Sequence, residues 1–232
     1  MVVLATIKDT TKPANNPVFK SAGYCLTELT NLDALTFGAP DYHLPVLNQE
    51  VVRHLTASDH GIYVDGTVGE GGHSETLLKA ASAPELILGI DLDPRSVDVA
   101  QSRLAGFGSR FSAVQGNYAD MGILAQEFGV NRVDGVLLDL GFSSRQVEKN
   151  GYGLSFHVDE PLDMRYDPNA ALTAEFIVNE FQEQELADLI FSLGEERRSR
   201  AIARAIVRNR PITSTAMLAN LLGSTIGRRP GG

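Results

Sequence analysis

Four short apolar runs, most of them followed by a segment with helical periodicity, limit the folds that this 232-residue chain can adopt. The last run, VDGVLLD at residues 133–139, is the most continuously apolar, which is typical of a strand buried on both faces. Strands that alternate with helices at this spacing predict βαβ units and a parallel sheet. The other runs are Ile62–Asp65, Leu86–Asp91 and Phe111–Gln115, and they are followed by helical patterns near 73–81, 94–104 and 121–128.

The regions on either side of these runs differ from them. Residues 1–40 contain several prolines and glycines and no sustained period, whereas residues 46–55 have helical spacing. After Gly141 a loop-like stretch precedes helical patterns at 173–180, 182–191, 195–209 and 214–222. The sequence therefore predicts a flexible extension (1–40), a Rossmann-like domain with a partial sheet (41–141) and a helical domain (142–232).

Composition excludes several classes of protein. Hydrophobic residues make up 43% of the chain and charged residues 21%, which argues against disorder and coiled coil. No stretch approaches the roughly 20 apolar residues of a membrane span, and the first residues lack the apolar core of a secretory signal. The single cysteine, Cys25, excludes an internal disulfide framework. We therefore expect a cytoplasmic protein that does not bind membranes.

The net charge of −9 conceals a strong asymmetry. Residues 1–194 carry 12 Lys and Arg against 27 Asp and Glu, whereas residues 195–232 carry eight Arg against two Glu. Arginines spaced by three, four and four residues form one face of the predicted helix 195–209. This stripe favours contact with a polyanion, and a merely solvated helix face is the alternative. The stripe comprises Arg197, Arg200, Arg204 and Arg208.

A glycine-rich segment, VDGTVGEGGH at residues 64–73, lies where the first run turns into a helix. Glycines allow a ligand to approach the backbone, although many such turns need glycine only for packing. Asp91 ends the next run, where a carboxylate can accept both ribose hydroxyls of a nucleoside. The spacing is not that of a dinucleotide fingerprint, and no lysine completes a P-loop. Asp65 would repel pyrophosphate but suits an amine and a sulfonium, which favours S-adenosylmethionine over NAD.

A second segment, DLGFSSRQ at residues 139–146, follows the fourth run. Ligands of open α/β sheets bind outside the carboxyl ends of the strands, so this loop is predicted to face the cofactor. A helix cap followed by a turn is the alternative interpretation.

Six ordered blocks resemble the bacterial 16S ribosomal RNA cytosine-N4 methyltransferase family, the MraW or RsmH type. The resemblance covers about residues 43–226 and is specific because several blocks have unusual compositions. The blocks are HLPVL (43–47), YVDGT with GEGGHS (63–74), DLDP (91–94), LLDLGFSS (137–144), PLDMR (161–165), and GEER with IARAI (194–206).

The resemblance implies a class I methyltransferase fold with an all-helical insertion after the fourth strand, and further strands beyond residue 232. It implies S-adenosylmethionine as the cofactor and 16S rRNA within the small ribosomal subunit as the partner. The arginine stripe would then face the phosphates of that RNA. A homodimer is compatible with the resemblance. The cofactor contacts of the family fall here on Gly71, Gly72, His73, Asp91, Tyr118, Asp139 and Gln146.

The chemistry predicted for this family is methylation of the exocyclic amine of cytosine. By analogy with other amino-methyltransferases, we expect the Asp139 carboxylate and the Gly141 carbonyl to accept from that amine, with Phe142 near the base. The histidines do not cluster at metal-ligand spacing, so no metal is expected. Two other functions stay open: a catalytically impaired RNA- or ribosome-binding remnant of this family, and an NAD-dependent oxidoreductase.

Overall fold

The apolar runs form the strands that their pattern predicts. A computed structural model of the chain describes residues 2–6, 45–55, 60–80, 82–141, 147 and 151–227. One sheet has the strand order β1-β5-β2-β3-β4, with β2 to β5 parallel and β1 antiparallel to β5. The strands are β1 (Val2–Thr6), β2 (Ile62–Asp65), β3 (Leu86–Asp91), β4 (Phe111–Gln115) and β5 (Gly135–Asp139).

The order of the parallel strands creates a switch point between β2 and β5. The chain runs outward from β2 through β3 to β4 and then returns to place β5 on the other side of β2. The crossovers therefore leave the sheet in opposite directions at the carboxyl ends of β2 and β5, where open α/β sheets form a ligand crevice. Asp65, at the end of β2, pairs in register with Leu137 of β5 and with Gly89 of β3.

Both faces of this sheet are buried, as expected for parallel strands. Successive residues of a strand contribute to opposite cores, because side chains alternate between the two faces. Tyr63 and Ile87 belong to one cluster, and Val64 and Leu88 belong to the other. The first cluster includes residues of α1 (Asn48–Leu55), α2 (Gly72–Leu78) and α3 (Pro94–Leu104), and the second includes Ala125 of α4 (Met121–Glu127).

The chain divides into two compact units: residues 1–91 with 96–139, and residues 92–95 with 140–232. The second unit contains α5 (Ala174–Glu180), α6 (Glu183–Gly194), α7 (Ser199–Arg208) and α8 (Thr215–Ile226). Its core comes from apolar side chains at helical spacing: Leu162, Val178, Leu186, Ala187, Ile202, Ala203, Ile206 and Ile212. The boundary predicted after residue 141 lies two residues beyond the end of the first unit.

Two predictions about local structure need correction. The segment predicted as a flexible extension contains β1, whose VVLAT sequence is a strand-forming run that the neighbouring glycines and prolines obscured; residues 7–40 lie outside the described residues. The helix predicted from 195 begins only at Ser199, because Glu195 has a left-handed backbone and ends α6. The Glu196 carboxylate then accepts from the Arg198 N–H, at 2.7 Å, in a turn that precedes α7. Arg197 therefore lies outside the helix.

None of the described helices is both long enough and apolar enough to cross a membrane.

Candidate functional site

Three aspartates end the parallel strands around the switch point. Asp65 ends β2, Asp91 ends β3 and Asp139 ends β5, and all three belong to the first unit. Burial is the main reason that the pKa of Asp65 is raised, and the charges of Asp91 and Asp139 raise it further. The site is therefore strongly acidic, and a cationic group would be stabilised there.

The glycine-rich turn after β2 is bonded to β3 through its backbone. The Gly69 N–H donates to Asp91 Oδ2 at 2.9 Å, and the Val68 N–H donates to the Ile90 carbonyl at 3.0 Å. Gly69 and Gly71 have φ of 52° and 80°, a region that favours glycine. A Cβ atom on Gly71 would also lie 2.9 Å from the Leu104 side chain in α3. Packing is thus sufficient to require Gly71, whatever it contributes to a ligand.

Thr67 joins this turn to the end of β5. Its hydroxyl accepts a hydrogen bond from the backbone N–H of Asp139 at 2.7 Å, and the Gly66 N–H donates to the Leu137 carbonyl at 2.9 Å. Sequence reasoning missed Thr67, although a hydroxyl two residues after an aspartate is a frequent turn signal. Thr67 fixes the backbone position from which the Asp139 carboxylate projects.

His73 lies beside Asp139. The Nε2 atom of His73 is 3.4 Å from Asp139 Oδ2, and the His73 side chain is 7% exposed while that of Asp139 is 33% exposed. Asp139 is therefore accessible to a ligand on one side and contacts a buried imidazole on the other. The resemblance predicts His73 as a cofactor residue, and the structure adds this contact with the predicted catalytic carboxylate.

The Asp65 carboxyl is buried beneath the turn. It accepts hydrogen bonds from the Ser74 hydroxyl at 2.7 Å and from the Thr67 N–H at 3.3 Å. Loss of hydration raises its pKa to about 7, against the lowering effect of those two hydrogen bonds. The protonation state of the Asp65 carboxyl thus changes with pH in the neutral range.

Asp65→Asn is expected to be more stable relative to wild type at pH 8 than at pH 5. The folded pKa of about 7 exceeds the unfolded value of 3.8, so the folded state binds more protons between these values and wild-type stability falls as pH rises. This pKa shift lowers the free energy of unfolding of wild type by about 4 kcal/mol at pH values above 7, and it has no effect below pH 4. Urea unfolding of both proteins from pH 4 to pH 8 measures it, with Asp98→Asn, an exposed residue of α3, as the control. A pH-independent difference between Asp65→Asn and wild type would contradict the prediction.

The other predicted site residues are distributed as follows. Tyr118 follows β4 and is 37% exposed. It lies close to the glycine-rich turn, since a Cβ atom on Gly66 would be 3.1 Å from the Cβ atom of Tyr118. Gly72 is the first residue of α2, and Gly141 is exposed. Phe142 and Gln146 lie outside the described residues.

Comparison with models of protein families identifies the family of this chain. The model of the MraW methylase family matches residues 41–229. The chain belongs to the MraW methylase family. Its sheet and flanking helices are accordingly the Rossmann-like fold of methyltransferases that use S-adenosylmethionine.

Curated MraW relatives are similar over most of this chain. The ribosomal RNA small subunit methyltransferase H of Thermosipho africanus is 43% identical over 183 residues, covering 78% of this chain and 62% of the relative. The protein of the same name from Geobacter sulfurreducens is 44% identical over 189 residues, covering 80% and 61%. The chain thus spans about three-fifths of the length of these relatives. A solved rRNA methylase from Streptococcus thermophilus has a TM-score of only 0.28, with 18% identity over 33% of this chain and 44% of that chain.

Proposed function

We propose that the chain transfers a methyl group from S-adenosylmethionine to N4 of a cytidine in 16S rRNA, acting on the small ribosomal subunit in the cytoplasm. The observation that carries this proposal is the convergence of Asp65, Asp91 and Asp139 at the switch point of the sheet. An acidic crevice disfavours the pyrophosphate of NAD and suits a ligand that bears an amine and a sulfonium. The small-subunit rRNA methyltransferase names of the relatives support the same substrate.

The residues at the crevice fit such a cofactor. Asp91 offers acceptor oxygens to ribose hydroxyls, and the exposed ring of Tyr118 offers a surface for stacking on adenine. Asp139, which is one-third exposed, supplies negative charge toward the amino-acid portion. The cofactor contributes an electrophilic methyl group when bound.

Asp139 has the position expected of the group that activates the cytosine amine. The lone pair of this amine is delocalised into the ring, so a hydrogen bond from N–H to the Asp139 carboxylate increases its nucleophilicity. The Thr67 hydroxyl fixes the Asp139 backbone, which favours orientation of the amine. Asp139 then receives the amine proton, so its carboxylate becomes neutral. The His73 ring, whose Nε2 atom is 3.4 Å from Asp139 Oδ2, contacts this carboxyl group.

The arginines of α7 form the proposed RNA-facing surface. Arg200, Arg204 and Arg208 are exposed, whereas the side of the helix that carries Ile202 and Ile206 is buried. The Arg204 Nε is 3.4 Å from the Glu183 carboxylate, but both side chains are about half exposed, so this pair is weak and open to competition by phosphate.

Neutralising Arg200 and Arg204 together, each to glutamine, is expected to weaken RNA binding about tenfold at 0.1 M salt. Binding releases fewer counterions when two phosphate contacts are lost. The slope of log affinity against log salt should therefore fall in magnitude by about 1.5. Filter binding of a 16S rRNA transcript measures both quantities. The matched control is the double change Arg53→Gln and Arg132→Gln, which removes two exposed arginines of the first unit. Equal affinity and slope in the two double variants would mean that the arginines of α7 form only a solvated face.

The decisive experiment for the function is transfer of a labelled methyl group to unmethylated small ribosomal subunits. Nucleoside digestion should then show label in N4-methylcytidine, with the Geobacter sulfurreducens relative as the positive control. Binding of S-adenosylmethionine without transfer would favour the RNA-binding remnant. A thermal shift with NAD and none with S-adenosylmethionine would favour an oxidoreductase.

A further inference from the structure

A fixed arginine lies beside a cavity in the second unit. Arg95 donates to Asp93 Oδ1 from its backbone N–H at 3.1 Å and from Nε at 3.3 Å. Its guanidinium carbon is 3.3 Å from the centroid of the Tyr152 ring. The Tyr152 hydroxyl in turn donates to Asp93, which is fully buried. Stacking on Tyr152 and the Nε hydrogen bond to Asp93 therefore hold the guanidinium in one plane.

The terminal nitrogens of Arg95 are left for a ligand. Among the residues that the structure describes, no acceptor is hydrogen-bonded to its Nη1 or Nη2, and the side chain is about half exposed. The adjacent cavity has a volume of about 310 Å³. The residues that line it are Pro94, Arg95, Gly151, Asp163, Arg165 and Pro168.

The second arginine of the cavity has a structural role instead. Arg165 donates from Nε and Nη2 to Asp163, at 2.6 and 2.8 Å, and from Nη1 to the carbonyls of Pro168 and Ala170. The hydrogen bonds and the charge of Arg165, together with the charge of Arg95, lower the pKa of Asp163, so its carboxylate stays ionised. Four of the five N–H donors of Arg165 are therefore already used. Arg95 supplies most of the open donors of the cavity.

We propose that Arg95, held on Tyr152 and Asp93, binds a backbone phosphate of the RNA substrate in this cavity. The edge of a guanidinium presents two parallel N–H groups that match two phosphate oxygens. Because stacking already orients this edge, little conformational freedom is lost on binding. The cavity is large enough for a phosphate with part of its nucleotide. This inference rests on the proposed RNA substrate and assigns Arg95 a positioning role, separate from the arginines of α7.

The test compares Arg95→Gln, Arg95→Lys and the control Arg132→Gln in binding to a 16S rRNA transcript. Arg95→Gln should weaken binding about tenfold and reduce the salt slope by about 0.7, the value for one phosphate contact on a single strand. Arg95→Lys should keep the slope but lose several-fold in affinity, because lysine has no planar edge. Arg95→Gln should lower the melting temperature, because it leaves the buried Asp93 carboxylate with one partner fewer, whereas the affinity of both variants for S-adenosylmethionine should match that of the control.

Three outcomes would overturn the inference. If Arg95→Gln binds the transcript with the affinity and slope of Arg132→Gln, the cavity holds no RNA phosphate, although the proposed function stands. If cytidine 5′-monophosphate binds wild type but not Arg95→Gln and leaves the affinity for the transcript unchanged, the cavity is a site for free nucleotides. If wild type binds S-adenosylmethionine but no RNA, both this inference and the proposed function fail.

Discussion

Replacing Asp139 with alanine is expected to slow methyl transfer by about 100- to 1000-fold under single-turnover conditions. The carboxylate is the acceptor that we assign to the cytosine amine, and alanine removes both the hydrogen bond and the proton acceptor. The fold should be retained, because Asp139 is one-third exposed and its hydrogen bond to Thr67 comes from the backbone N–H. Rates at saturating RNA and cofactor separate this effect from weaker cofactor binding, which Asp139 is also predicted to support.

Two variants sharpen the interpretation of Asp139→Ala. Asp139→Asn keeps an acceptor oxygen and should recover about tenfold in rate relative to alanine, whereas Thr67→Val leaves the carboxylate but removes its backbone support and should cost about tenfold. Asp98→Asn serves as the control for loss of an exposed charge. Near-wild-type transfer by a folded Asp139→Ala protein would exclude Asp139 as the activating group.

The sequence was sufficient to predict the parallel part of the fold. Short apolar runs bounded by turn residues are typical of strands, and β2 to β4 begin and end where their apolar runs do. The helix α3 begins at Pro94 as predicted. The start of α7 could not be predicted in this way, because the left-handed backbone of Glu195 ends α6 and a turn separates it from Ser199. The strand β1 is defined by pairing with β5, as in the pair Val2 and Asp139, which are distant in sequence, and local composition does not reveal such a pairing.

The candidate site was predictable in its residue types but not in its connections. The positions of Asp65, Asp91 and Asp139 at strand ends follow from the βαβ pattern together with the ligand edge of such sheets. The bond from Asp139 to Thr67 joins residues 72 positions apart, and it exists only because β2 and β5 are adjacent. The proximity of His73 to Asp139 and the desolvation of Asp65 likewise arise from packing. Such contacts determine the geometry and the pKa values that chemistry requires.

Asp91→Ala is expected to weaken binding of S-adenosylmethionine by about 100-fold, the second large effect at this site. Hydrogen bonds to a charged group contribute about 1.5–3 kcal/mol each, and the carboxylate is proposed to accept from the ribose. Asp91 also accepts from the Gly69 N–H, so part of the loss would come from a less ordered glycine turn. A single affinity measurement therefore cannot separate contact with the cofactor from support of the turn.

A cycle that pairs the mutation with a change in the ligand separates the two contributions. Adenosine and 2′-deoxyadenosine are titrated by calorimetry against wild type, Asp91→Ala and the control Asp98→Asn. In wild type and in the control, loss of the 2′-hydroxyl should cost about tenfold in affinity, whereas in Asp91→Ala it should cost almost nothing, because the acceptor is already absent. An equal penalty in all three proteins would limit Asp91 to holding Gly69. The ribose would then have to be recognised by other groups at the carboxyl edge of the sheet.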